Sequence, residues 1–225
     1  MPMLLALALI WGIAYALLRE LRRRGRLAED LDRDVLAVGL LALLAVGFFW
    51  RPLLAGDVYM PADGGDMASF LYPTYKFAAT WIRQGVIPLW NPHLYGGETF
   101  VGDIQSGILY PVYWLVYLLT PELTYRTLEW LAVGHIFLAG ANMYLLLRFV
   151  RPRPDRLRRA ACLAGAVAFM FSDLFLMHFG NLNMIAVAAW LPLVFLFFER
   201  ALADRRPWLA ALAGAALALA TLAGH

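Results

Sequence analysis

Apolar positions along the chain fall into long unbroken runs, not into the alternation of a half-buried sheet. The runs are Met3 to Leu18, Val35 to Leu54, Leu128 to Val150, Ala160 to Met177, Met184 to Phe198 and Trp208 to Ala223. A helix crossing ~30 Å of hydrocarbon needs about 20 mostly apolar residues, so these read as about six transmembrane helices, the first and fifth the shortest. The stretch Ile108 to Leu119 is shorter, carries Pro111, and is crowded with Tyr110, Tyr113, Trp114 and Tyr117. That suits a helix lying at the membrane interface better than a span. Met3 to Leu18 lacks basic residues before it and is followed by Arg22, Arg23 and Arg24 instead of a cleavage site. It reads as a retained anchor.

Charge adds the orientation. Lys and Arg number 19 against 16 Asp and Glu, a formal charge of +3, and the basic residues cluster in Arg19 to Asp34, Arg148 to Arg159 and Glu199 to Arg206. Loops rich in Lys and Arg stay in the cytoplasm, which places these three inside. Val35 to Leu54 then leads out and Leu128 to Val150 leads back, with one large extracytoplasmic loop between them. The expected units are 1–34, an anchor helix with a basic cytoplasmic loop; 35–55, a transmembrane helix; 56–126, the outer loop; and 127–225, a transmembrane bundle. Because the last apolar run has no polar tail after it, the chain reads as the N-terminal portion of a longer protein. The fold class expected is an all-α polytopic membrane protein.

Composition excludes alternatives. With 62% hydrophobic and 16% charged residues, a water-soluble domain is ruled out, and a nucleic-acid binder with it. The single cysteine, Cys162, lies in an apolar run, which excludes an intramolecular disulfide framework and a Cys-based metal site.

The outer loop is rich in Trp, Tyr, Pro and Gly and should be folded. Tyr59 to Asp66 reads as a turn leading into a helix, with Ser69 as an N-cap, Pro73 near the first turn and Asp66 just ahead. Phe70, Phe77, Ala78, Trp81 and Ile82 recur at helical spacing, and Lys76, Thr80 and Arg83 mark another face. Such an amphipathic helix can lie in the headgroup plane, with Lys76 and Arg83 at lipid phosphates. Gly85 to Pro92 and His93 to Glu98 must turn sharply.

The order of these features resembles the bacterial YfhO family of polytopic membrane proteins, part of the broad GT-C glycosyltransferase group. The resemblance is carried by Pro61 to Asp66, Tyr72-Pro73, Gly85 to Pro92, Gly96-Gly97 and Tyr110-Pro111. It continues through Gly180-Asn181, Trp190-Leu191-Pro192, Glu199-Arg200 and Gly224-His225, covering most of the chain from about Asp57. The apolar run before Arg19 departs from the pattern. The resemblance implies a GT-C-like fold in the bacterial cytoplasmic (inner) membrane. It also implies transfer of a sugar from a polyprenyl-phosphate-linked donor to an extracytoplasmic glycopolymer or lipid, with an acidic residue of the first large outer loop as base.

A positioned carboxylate can take the proton that the acceptor hydroxyl loses as it attacks, and positive charge or hydrogen-bond donors can stabilise the departing phosphate. Asp66 matches the position of the loop carboxylate, Asp63 less closely, and Asp103 is a second candidate. A turn in which Asp63 and Asp66 merely bond nearby backbone N–H groups is an equal reading. Paired carboxylates could also hold a divalent metal such as Mg or Mn, a weak signal for one. For the donor, Lys76, Arg83 and His178 are nominated, with His93, Asn181 and His225 beside them. For each a plainer role is the stronger reading: Lys76 and Arg83 snorkelling to headgroups, and His178 beside Asn181 and Asn183 forming a polar turn. His135 and Asn142 share one helix face, where interhelical packing is the favoured role, and Asp173 lies near the outer end of its span. A lipid-linked-sugar flippase and a non-catalytic assembly protein are the competing functions. The flippase predicts internal repeats, of which the sequence has none visible.

Overall fold

The computed structural model describes residues 12–13, 15–16, 19–20, 31–61, 65–150 and 159–225. Asp63, the Arg22 to Arg24 cluster and most of the Met3 to Leu18 anchor lie outside the described residues.

The described chain is mostly helical. Helix α1 (Leu31–Phe48) starts with Asp32 and Asp34 in its first turn, where carboxylates favour the positive end of the helix dipole. A break at Phe49 separates it from the short α2 (Trp50–Leu54). In the 56–126 segment a π-helical turn, Met67–Leu71, runs into α3 (Tyr72–Arg83). Pro73 has no N–H to donate one turn back, and the helix widens ahead of it. Ser69 is therefore not the N-cap expected from sequence, because the helical path begins before it. Its hydroxyl donates to the Gly65 carbonyl at 2.9 Å instead.

A hairpin follows that the all-α expectation did not contain: β1 (Trp90–Asn91) pairs antiparallel with β2 (Glu98–Thr99). Its turn takes Tyr95, Gly96 and Gly97 through positive φ. Gly97 is required there, since a Cβ would stand 2.5 Å from the Trp90 ring. A 3₁₀ turn, Ile104–Ser106, leads to α4 (Pro111–Leu119), with Pro at its start where the missing N–H costs nothing.

The remaining helices are α5 (Tyr125–Phe149), α6 (Arg159–Met170), α7 (Asp173–Leu176), α8 (Leu182–Asp204) and α9 (Pro207–Leu222). Thr124 and Thr127 close a reciprocal capping box at the start of α5, satisfying two orphan donors. Arg205, in the left-handed region, ends α8. Helix α5 is the centre of the bundle and packs against α1, α6 and α8, while α9 lies along α8. The Asn142 amide of α5 donates to the Ala189 carbonyl of α8 at 2.8 Å, the interhelical role expected of it.

Helices α5 and α8 are long and apolar enough to cross a membrane, by length and composition. Helices α6 and α9 are apolar but only 12 and 16 residues long. The run Ala160 to Met177 is shortened because the chain bends at Ser172 and starts again as α7. Helix α4, at 9 residues, is too short to span.

The buried face of α3 adds Thr74, Tyr75 and Ala79 to the apolar row read from spacing. Tyr75, Ala78, Ala79 and Ile82 are buried with Thr74, while Trp81 is exposed and Phe77 only partly covered. The cause is the partner: α3 packs on α4, whose inward row is tyrosine. The Tyr75 ring stacks 4.8 Å from Tyr113 and 6.3 Å from Tyr117. The three phenols are wholly buried with no hydrogen-bond partner among the described residues, and burial pushes each far above the usual phenol range.

Candidate functional site

The N-terminal end of α5 holds the start of the 56–126 segment in place. Arg126 donates to the carbonyls of Ala55 (2.8 Å) and Val58 (3.4 Å), and the Tyr125 hydroxyl donates to that of Met60 (2.9 Å). The Met60 N–H in turn donates to Glu129 Oε1 at 2.7 Å. Glu129 is wholly buried, and its other oxygen lies 3.2 Å from Arg126 Nε. That contact is an ion pair by distance without hydrogen-bond alignment, since Oε2 accepts no hydrogen bond among the described residues. No sequence signal had singled out Glu129. An acidic residue early in a long apolar helix was the available one, because burial there requires a partner.

This strap delivers Pro61 to the turn between α7 and α8. A Cβ at Gly180 would stand 3.2 Å from the Pro61 ring, and one at Gly65 would stand 3.5 Å from it. The acidic turn and the His178 to Asn183 turn therefore meet at one corner. Asp66, next to Gly65, is exposed and makes no side-chain hydrogen bond or ion pair among the described residues. His178 is half-buried, and its Nδ1 is buried with no hydrogen-bond partner among them. Asn181 precedes α8 without capping it through its side chain.

A second corner adjoins the first. The Asn183 amide donates to the Gly224 carbonyl at 2.8 Å. Gly224, at φ 99°, sits so close to the Ile104 carbonyl that a Cβ would stand 2.5 Å from it. His225, exposed, thus ends beside the 3₁₀ turn that Asp103 caps. Asp103 accepts from the Gln105 N–H at 2.9 Å and its carbonyl accepts from the Ser106 hydroxyl at 2.7 Å. Its carboxylate is engaged in shaping the loop.

The other nominated residues make their contacts elsewhere. Lys76 lies 3.4 Å from the Tyr72 hydroxyl and from Glu122, and hydrogen bonding to Tyr72 is the main cause that raises its pKa. Arg83 braces α3 to α4 through the Tyr117 carbonyl (2.8 Å) and the Thr120 hydroxyl (3.2 Å). His93 is exposed near the hairpin, its ring 5.9 Å from that of Phe77. Among the described residues no group of three or more His, Cys, Asp or Glu could hold a metal ion.

Beneath the loop, one polar chain links three elements. Trp190 Nε1 donates to the Tyr110 hydroxyl at 2.8 Å, Tyr110 lies 3.0 Å from His135 Nε2, and His135 Nδ1 lies 2.7 Å from the Leu131 carbonyl. A carbonyl only accepts, so Nδ1 carries the proton and Nε2 accepts from Tyr110. His135 is consumed in this chain, in keeping with the packing role expected of it. Tyr110→Phe would leave Trp190 and His135 unpaired together, at roughly 1–3 kcal/mol for each orphaned group in water. Membrane hydrogen bonds average less, so a loss of about 2 kcal/mol is expected, read as a lower unfolding temperature in detergent. Unchanged stability would show that neither partner depends on Tyr110.

No family model, curated protein or solved structure matches the chain.

Proposed function

We propose that the protein is a GT-C-like membrane glycosyltransferase. It moves a sugar from a polyprenyl-phosphate-linked donor to an extracytoplasmic glycopolymer or lipid, with Asp66 as general base. In this reading α1, α5, α6 with α7, α8 and α9 join the N-terminal apolar run as six crossings of the bacterial cytoplasmic membrane, with 56–126 outside. The observation that carries it is the Pro61 corner, where the loop bearing the exposed Asp66 packs against the turn bearing His178 and Asn181. A carboxylate with no competing partner can accept a proton. His178 and Asn181 supply N–H donors for a departing phosphate. The resemblance to the YfhO family supports the same assignment.

The test is transfer itself. Membranes containing the protein, given polyprenyl-phosphate donor with radiolabelled sugar, should build label into an acid-labile glycosidic product that control membranes lack. Movement of the donor across the bilayer with no new glycosidic bond would establish the flippase instead. Neither transfer nor movement would leave the assembly role.

A further inference from the structure

Two apolar cavities lie side by side on the membrane-level face of α5. One, about 440 Å³, opens between α4 and α5; the other, about 220 Å³, lies between α1 and α5. Trp130, Gly134 and Phe137 line both and form the ridge between them. The larger cavity runs from Thr127 to Leu138, eleven residue steps at 1.5 Å, or about 16 Å. That is half of a ~30 Å hydrocarbon core, the depth of one leaflet. At its outer mouth stands Thr120, whose hydroxyl accepts from Arg83. The guanidinium spends two of its five N–H donors on Tyr117 and Thr120, and the rest can meet an anion.

We propose that this face binds one anionic diacyl phospholipid of the outer leaflet, its phosphate at Arg83 and its two acyl chains in the two grooves on either side of Gly134. Two grooves flanking one ridge, the larger of leaflet depth, fit a two-tailed lipid better than a single polyprenyl chain. One cation at the mouth selects negative charge. The site uses the membrane reading but not the transferase one, so it stands or falls without any transfer assay.

Gly134 supplies the test, because a Cβ there meets nothing within 4 Å. Gly134→Leu puts an apolar side chain between the two grooves, and its Cβ displaces no neighbour. The protein would be stripped of lipid in detergent, offered phosphatidylglycerol, phosphatidylcholine or polyprenyl phosphate, and weighed by native mass spectrometry. The expected result is one retained phosphatidylglycerol, with occupancy lowered on the order of tenfold in Gly134→Leu. Arg83→Gln should cut the preference for phosphatidylglycerol over phosphatidylcholine by about fivefold. Equal retention by the native protein and Gly134→Leu would overturn the proposal. So would preferential binding of polyprenyl phosphate, or a dimeric mass with no lipid.

Discussion

Asp66→Asn is expected to lower sugar transfer by about 10²–10⁴-fold while leaving expression and unfolding temperature unchanged. The magnitude is that of removing a positioned general base. The lack of effect on folding follows from its surroundings: Asp66 is exposed, does not cap the turn that follows and makes no ion pair among the described residues. Asp103→Asn is the informative contrast. Its carboxylate caps the 3₁₀ turn through Gln105, so losing part of that acceptor should cost about 1 kcal/mol of stability or less and leave most transfer intact. Transfer that survives Asp66→Asn and fails in Asp103→Asn would move the base to the second corner, beside His225. Transfer unaffected by both would remove these carboxylates from the chemistry.

The two carboxylates looked alike in sequence, and the reason they differ is geometric. Both stand beside glycines before a helical turn, and periodicity carries no information on whether a side chain folds back onto the backbone. What spacing did carry was the order of elements. The long apolar runs became α5 and α8, and the interfacial aromatic stretch became the short α4. Exact helix ends were less legible, because Pro73 and Ser172 reshape the helices around them. Tyr75 was missing from the apolar row read for α3 because a tyrosine row on α4 accepts it as core, a partner that spacing within α3 does not reveal. The meeting of the Pro61–Gly65 turn with Gly180 was invisible, since it joins segments more than 100 residues apart. The Arg126–Glu129 strap that creates it was equally so.

The second large effect is at the other end of the bundle. Asp34 of α1 accepts at one oxygen from the Tyr144 hydroxyl (2.6 Å) and Arg148 Nε (3.1 Å) of α5, and from Arg159 Nε (2.9 Å) of α6. The positive-inside pattern read Arg148 and Arg159 only as orienting charges; in the structure they join three helices at one carboxylate. Burial alone would push the Asp34 carboxyl up. The hydrogen bonds from Tyr144, Arg159 and Arg148, with the charge of Arg148, outweigh it and hold the group below the usual carboxylate range. Asp34→Asn keeps the shape and removes the charge that Arg148 and Arg159 share at this point. Breaking such a pair costs about 3–5 kcal/mol, against roughly 1 kcal/mol for Tyr144→Phe, which removes one donor and no charge. The sign with pH follows from the lowered pKa. The unfolded carboxyl titrates near ~3.9, so the contribution is complete above that value and is lost as pH falls through the lower folded pKa. Thermal unfolding in detergent should therefore separate the native protein from Asp34→Asn widely at pH 7, with the gap narrowing progressively as pH falls below ~3.9 toward the lowered folded value. A gap that persists undiminished at low pH would mean that packing of the Asp34 side chain, and not its charge, joins the three helices.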